Sequence, residues 1–200
     1  MSAMFKLSYG LFVVTARDGE KDNGCITNTV QQVTAAPNRI SLAVNKANFT
    51  HDMILKSGVF NVSIISEKAD FELFKRFGFA SGRDTDKFAG YGAAERAENG
   101  VLYVTNGVNS VLFAQVVQTV DLGTHTLFIA DVAGEKVLDE TASATYAYYF
   151  EHIKPKPEAK PKTKGWVCKI CGYVYEGEEL PADFICPVCL HPASDFEPLN

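Results

Sequence analysis

Apolar residues recur in short bursts through the first 150 positions, and many alternate with polar ones. Gly10–Arg17, Arg39–Asn45, Val59–Ile65, Val101–Thr105, Val111–Val120 and Thr126–Val132 are rich in Val, Ile, Phe and Thr, which predicts β-strands. Turn pairs Asp18-Gly19, Asn23-Gly24, Asn106-Gly107 and Ala133-Gly134 punctuate them. Two helices are expected. One starts near Thr50 and runs to Lys56 before Ser57-Gly58. The other follows Ser66 as an N-cap, reads EKADFELFKRF, and stops at Gly78. Many closely spaced strands with few helices predict a mainly β chain folded as a closed or split barrel.

The pattern changes at residues 154–164, KPKPEAKPKTK, which carry five lysines, three prolines and no large apolar residue. Such a segment cannot contribute to a core and reads as a solvated spacer. The chain therefore divides into a domain over 1–153, a Lys/Pro-rich linker over 154–164 and a small domain over 165–200. At 200 residues and 46% apolar composition, a core is affordable. The net charge of −5 splits into −4, +4 and −5 over these three parts. Acidic folded parts argue against nucleic acid and anionic membranes as partners. No apolar run approaches the ~20 residues of a membrane span. The apolar stretch after Lys6 is interrupted at Tyr9-Gly10 and lacks a cleavage site, so a cytoplasmic location is expected.

Four of the five cysteines form two C-x-x-C pairs, Cys168/Cys171 and Cys186/Cys189. Two intervening residues let both sulfurs of a pair face one ion. Four thiolates close a tetrahedral site suited to zinc or a single iron. Around them, Trp166, Tyr173, Tyr175, Leu180-Pro181, Phe184, Pro187 and Phe196 resemble the rubredoxins, which implies iron. Leu190 stands where those proteins have glycine and Ser194 where they have lysine, and the loop between the pairs is short, as in the tails of rubrerythrins. A zinc ribbon is the alternative. His191 reads as a surface residue, since four thiolates complete the site.

Residues 1–152 contain no G-x-G-x-x-G after a strand and no P-loop, which excludes the usual dinucleotide and triphosphate cradles. Gly24-Cys25-Ile26-Thr27-Asn28-Thr29 is small and polar enough to face a planar, hydrogen-bonding ring. Ala43 to Thr50 ends a strand and opens a helix, where Lys46, Asn48 and Thr50 are donors beside a helix N-terminus. A capped helix after a polar turn is the alternative. These segments, with Phe77–Phe88 and Gly123–Val132, resemble the flavin reductase-like family, which includes flavoredoxins and split-barrel FMN-binding proteins. The resemblance implies a homodimer of split barrels binding FMN. Thr27, Asn28 and Thr29 then meet the isoalloxazine and ribityl region. Asn45, Lys46, Asn48 and Thr50 meet the phosphate end, with Arg83 as a further contact. His125 lies where a nicotinamide would stack, or is structural. Cys25 reads as a small buried thiol.

The two halves together resemble the high-molecular-weight rubredoxins. That implies an oxidoreductase passing electrons from NAD(P)H through FMN to the iron, and on to a redox protein such as a flavodiiron oxygen or nitric oxide reductase. A pure electron carrier, and a flavin reductase with a structural zinc ribbon, are the alternatives.

Overall fold

The computed structural model describes residues 3–155 and 165–199. The described residues fall into two compact units, divided between Lys154 and Pro155. Of the expected linker, residues 156–164 lie outside the described residues.

The first unit runs β1 (Phe12–Asp18), β2 (Lys21–Thr27), β3 (Gln31–Ala35), β4 (Asn38–Asn45), α1 (Phe49–Ser57), β5 (Val59–Ile65) and α2 (Phe71–Gly78). It continues as β6 (Ala94–Arg96), β7 (Leu102–Val104), β8 (Val108–Asp121) and β9 (His125–Val137). A short helix α3 (Tyr146–Tyr148) then passes into a π-helical turn at Tyr149–Ile153. Seven strands form one sheet in the order β2-β1-β5-β8-β9-β4-β3, and β6 pairs with β7. All ladders between these strands are antiparallel. The long β8–β9 ladder shifts register at Phe113/Ala114 and Val116/Gln118, the bulges that bend a sheet around on itself. This is the mainly β, split-barrel architecture expected from the strand pattern.

Alternation along β4, with Ile40, Leu42 and Val44 buried, aims one face inward. Those residues pack with Val14, Met53, Ile54, Phe60, Val62 and Phe128 into one core. On the other side of the sheet, Leu11, Val13, Ile65, Leu73, Phe74, Phe77 and Tyr149 form a second core beneath α2 and α3.

Several local expectations are corrected. Asn23-Gly24 lies inside β2, not in a turn, and Gly24 sits opposite Thr15. A Cβ at Gly24 would lie 3.1 Å from the Phe77 ring, so glycine here admits close helix packing on the strand. Ala133-Gly134 likewise lies within β9, at a bulge. Ser66 does not cap α2. It forms a β-bridge to Ser143, and the cap is Asp70, whose side chain accepts from Leu73 N–H. α1 begins one residue earlier than expected, capped by Asn48, and Gly58 closes it by donating to Ile54.

The second unit holds β10 (Trp166–Cys168), β11 (Val174–Tyr175), a 3-10 turn (Ala193–Asp195) and β12 (Phe196–Pro198). β10 lies between the other two strands. Its core consists of the cysteines with Trp166, Tyr173, Tyr175, Phe184 and Phe196.

Candidate functional site

In the C-terminal unit the sulfurs of Cys168, Cys171, Cys186 and Cys189 all lie within 4.8 Å of one another. Cys168 and Cys189 sulfurs are 3.6 Å apart, and Cys171 and Cys186 sulfurs 3.5 Å. A tetrahedron with metal–sulfur bonds of about 2.3 Å has edges of about 3.8 Å, so the four thiols fit a single ion. Two matching knuckles hold them. Gly172 N–H donates to Cys168 carbonyl and Leu190 N–H to Cys186 carbonyl, each 2.8–2.9 Å. Gly172 (φ 80) and Leu190 (φ 59) occupy the same left-handed corner of each knuckle, so the leucine adopts the conformation that glycine serves in the other.

Burial and the crowding of four sulfurs push the Cys171 thiol up to about 11, and Cys189 is raised by the same causes. Cys186 goes the other way. Burial opposes its ionisation, but N–H groups of Cys189 and Val188 and the neighbouring thiols outweigh that. Four ionised sulfurs in this space need a cation among them. His191 stands outside the cluster, its Nδ1 2.8 Å from Asp195 Oδ2.

In the first unit, the two polar segments singled out in the sequence converge. Thr29 donates its hydroxyl to the Ala43 carbonyl at 2.7 Å, joining the end of β2 to β4. That hydrogen is therefore spent, so the 2.7 Å contact between the Thr27 and Thr29 hydroxyls is donated by Thr27. Thr27 keeps acceptor capacity for a ligand N–H. Phe12↔Thr27 is the last pair of the β1–β2 ladder and β3 opens only at Gln31. Residues 28–30, half-buried and outside both ladders, thus present Asn28 and backbone groups on a break in the sheet. His125 opens β9 opposite Asn45, with Nδ1 2.9 Å from Thr124 Oγ1. Asn45 Oδ1 accepts from Ala47 N–H, and Lys46 Nζ pairs with Asp121 at 2.7 Å. Asp121 sits below the usual carboxylate range because of that lysine and the Gly123 N–H.

At the start of α1, Asn48 accepts from Thr50 N–H. Thr50 departs from its expected role. Its side chain is 0% exposed, and its hydroxyl accepts from Asn23 Nδ2 at 3.0 Å. It faces the barrel interior, because an N2 residue of this helix points back at β2, so it anchors the helix instead of meeting a phosphate. Arg83 reaches the same end of α1. It pairs with Asp52 at 2.7 Å and lies over the Phe49 ring at 5.0 Å, with Lys21 Nζ over that ring at 4.7 Å.

Sequence reasoning missed three supports of this corner. His51 is buried, with Nε2 2.8 Å from Thr126 Oγ1 and Nδ1 3.0 Å from Asp52 Oδ1. His51 and then Arg83 hold Asp52 below the usual carboxylate range. An ionised carboxylate only accepts, so Nδ1 carries the proton, and in the neutral ring Nε2 accepts from Thr126. Asn23 is the second: buried in β2, it leaves Oδ1 with no partner. A Cβ at Gly82 would lie 2.2 Å from that oxygen, so the loop bearing Arg83 rests directly on Asn23. Lys87 is the third, buried in the same loop. Only the polar residues at 48 and 50–52 hinted at such a network.

The chain matches the flavin reductase-like domain over residues 4–156 and the rubrerythrin, rubredoxin-like domain over 166–197. It is 34% identical to the high molecular weight rubredoxin of Moorella thermoacetica, covering 98% of this chain and 97% of that one. It is 37% identical to a ferric-chelate reductase (NAD(P)H) of Archaeoglobus fulgidus, over 82% of this chain and 94% of that one. Among solved structures, an FMN-binding protein of Thermus thermophilus superposes with a TM-score of 0.58 at 24% identity, covering 67% of this chain and 73% of that one.

Proposed function

The chain belongs to the flavin reductase-like family and carries a rubredoxin-like domain at its C-terminal end, and on that premise we propose that it moves electrons from NAD(P)H through FMN to a tetrathiolate iron and on to an acceptor redox protein. The observation that carries this reading is the four-sulfur cluster, closed within 4.8 Å, on the same chain as a flavin reductase-like barrel. Two-electron and one-electron chemistry are thereby tethered together, which raises the local concentration of one centre near the other.

FMN, when bound, supplies hydride acceptance and one-electron release. The residues that hold it are Thr27, Asn28 and Thr29 at the ring, and Asn45, Lys46 and Asn48 at the phosphate end. Arg83 adds a second cation, and Thr50 acts from behind through Asn23. The donor set fits: an acceptor at Thr27, amides at Asn28 and Asn48, and cations at Lys46 and Arg83. His125, half-buried beside Asn45, orients the nicotinamide. Iron at Cys168, Cys171, Cys186 and Cys189 carries one electron at a time. The domain assignment follows as 1–153, 154–164 and 165–200. The barrel works as a homodimer, and the acceptor is a flavodiiron protein or another carrier with a basic docking face. The C-terminal part's −5 charge supports that face.

Anaerobic reduction by NADH and by NADPH, with the flavin and tetrathiolate bands followed separately, tests the scheme. Flavin bleaching first and iron bleaching second is expected. A chain holding zinc at the four cysteines, or one whose flavin resists both nucleotides while accepting electrons from a protein donor, would replace it.

A further inference from the structure

Arg83 stands on an exposed loop, and its geometry depends on a buried group behind it. The side chains of Arg83 and Asp52 are 50% and 48% exposed. An ion pair so open to water is worth little by itself and does not hold a long side chain in one place. Asp52, however, is not free to swing. Its Oδ1 lies 3.0 Å from His51 Nδ1, while Oδ2 accepts from Arg83 at 2.7 Å. His51 is buried, its side chain only 6% exposed. Its Nε2 is 2.8 Å from Thr126 Oγ1 on β9, and its ring centroid is 5.7 Å from that of Phe128. The barrel wall therefore fixes the imidazole, the imidazole fixes one carboxylate oxygen, and the other oxygen aims the guanidinium. One guanidinium N–H is occupied by Asp52, and no other acceptor among the described residues takes the rest. The guanidinium carbon lies 5.0 Å from the Phe49 ring centroid, so that ring flanks it.

We infer that His51 is a positioning residue: through its Nδ1–H bond to Asp52 it holds Arg83 ready for the flavin phosphate, and so sets a preference for FMN over riboflavin. The inference rests on the phosphate placement proposed above. His51 and then Arg83 keep Asp52 ionised, so the acceptor is present at neutral pH. The carboxylate's own charge repels phosphate, so Asp52 helps by geometry alone. An arginine already held in one direction loses less side-chain freedom when it meets an anion, which strengthens binding without a new contact. A histidine that only filled the space beneath Phe128 would change stability, and would weaken FMN and riboflavin alike.

The test titrates the full chain, stripped of flavin, with FMN and with riboflavin, which lacks the phosphate. Flavin fluorescence reads affinity, and a thermal melt reads stability. Arg83→Gln should weaken FMN on the order of tenfold and riboflavin by less than about twofold, the loss of one charge-assisted contact. Three His51 variants separate the two ring nitrogens. The amide of His51→Asn falls near Nδ1 and still donates to Asp52. That of His51→Gln falls near Nε2 and keeps only Thr126. His51→Leu keeps neither. His51→Gln and His51→Leu should weaken FMN roughly fivefold and riboflavin by less than about twofold. His51→Asn should stay within about twofold of the parent for both ligands, because the donor to Asp52 is kept. In an Arg83→Gln background, His51→Gln should change FMN affinity by less than about twofold. His51→Gln and His51→Leu chains that lose both flavins alike, or that melt lower yet keep the parent's FMN affinity, would make His51 a core residue only and overturn the inference. So would His51→Asn if it bound FMN as weakly as His51→Leu. If His51→Leu does not fold, the His51→Asn and His51→Gln pair carries the same comparison. An Arg83→Gln chain with the parent's FMN affinity would instead withdraw the phosphate placement at Arg83.

Discussion

Thr50 and Lys46 stand four residues apart, one buried against Asn23 and the other paired with the exposed Asp121. Thr50→Val removes the acceptor for Asn23 Nδ2 and leaves a buried amide unpaired. It should cost about 1–3 kcal/mol of stability, read by chemical denaturation, and weaken FMN binding only as far as α1 is displaced. Lys46→Ala should leave stability nearly unchanged, because its pair with the exposed Asp121 is screened by water. It should weaken FMN on the order of tenfold by loss of one charge-assisted contact, read by flavin fluorescence titration. Equal effects of both substitutions on affinity would undo the inward assignment of Thr50. Gly82→Ala drives a methyl into Asn23 Oδ1, so the Arg83 loop must lift. Lower melting temperature together with weaker FMN binding is expected. At the metal end, Leu190 holds φ 59 with its side chain 66% exposed. Leu190→Gly should stabilise the small unit by about 1 kcal/mol, since a left-handed L-residue costs about that much and little packing is lost. An unchanged or lowered resistance of the tetrathiolate bands to denaturant would contradict this.

At the scale of elements, the start of α1 is where local and tertiary requirements meet. Nine residues make a helix too short to stand alone in water, so its direction is set by its cap and by Met53 and Ile54 in the core. Asn48 provides the cap and is also a candidate phosphate contact. Asn48→Ala should cost about 1 kcal/mol from the lost bond to Thr50 N–H and should also weaken FMN. Asn48→Asp separates the two roles: the cap is kept, so stability should hold, while a carboxylate repels phosphate and affinity should fall. The break between β2 and β3 is the other decisive element. Its three residues leave the ladders, so their backbone groups can be offered to a ligand without unpairing a strand.

For the whole molecule, the two units draw their stability from different sources. The barrel has two apolar cores, whereas the C-terminal unit relies on a few aromatics and four cysteines. Metal binding then supplies most of the folding energy of the tail. Stripping the metal with a chelator, or protonating the thiolates with acid, should melt residues 165–199 and leave the barrel's transition in place. A single transition abolished by metal removal would show that the units fold as one. Removing the tail after residue 164 should preserve flavin reduction by NADH while acceptor reduction collapses. Turnover of the intact chain with its acceptor should fall as salt rises, because exposed acidic charges are screened beyond about 10 Å at 0.1 M.

The sequence by itself determined what depends on local pattern. The paired C-x-x-C spacing identified the ligand set, since two residues between cysteines define a knuckle wherever it folds. The β-rich run Val59–Ile65 between turn residues defined β5 to the residue, and Gly58 marked the end of α1. Tertiary structure decided whatever depends on partners far along the chain. Asn23-Gly24 reads as a turn by propensity, yet pairing with β1 and packing under Phe77 make it strand. Ser66 reads as a cap, but its bridge to Ser143 claims it first. Thr50 reads as a phosphate donor until the side to which α1 turns is known. His51, Asp52 and Lys87 carry no signature of their own, because a buried histidine or lysine is defined by Thr126, Arg83 or Gly24 across space. Hydrogen bonds between distant segments leave no period in the sequence, whereas strands, caps and metal knuckles do.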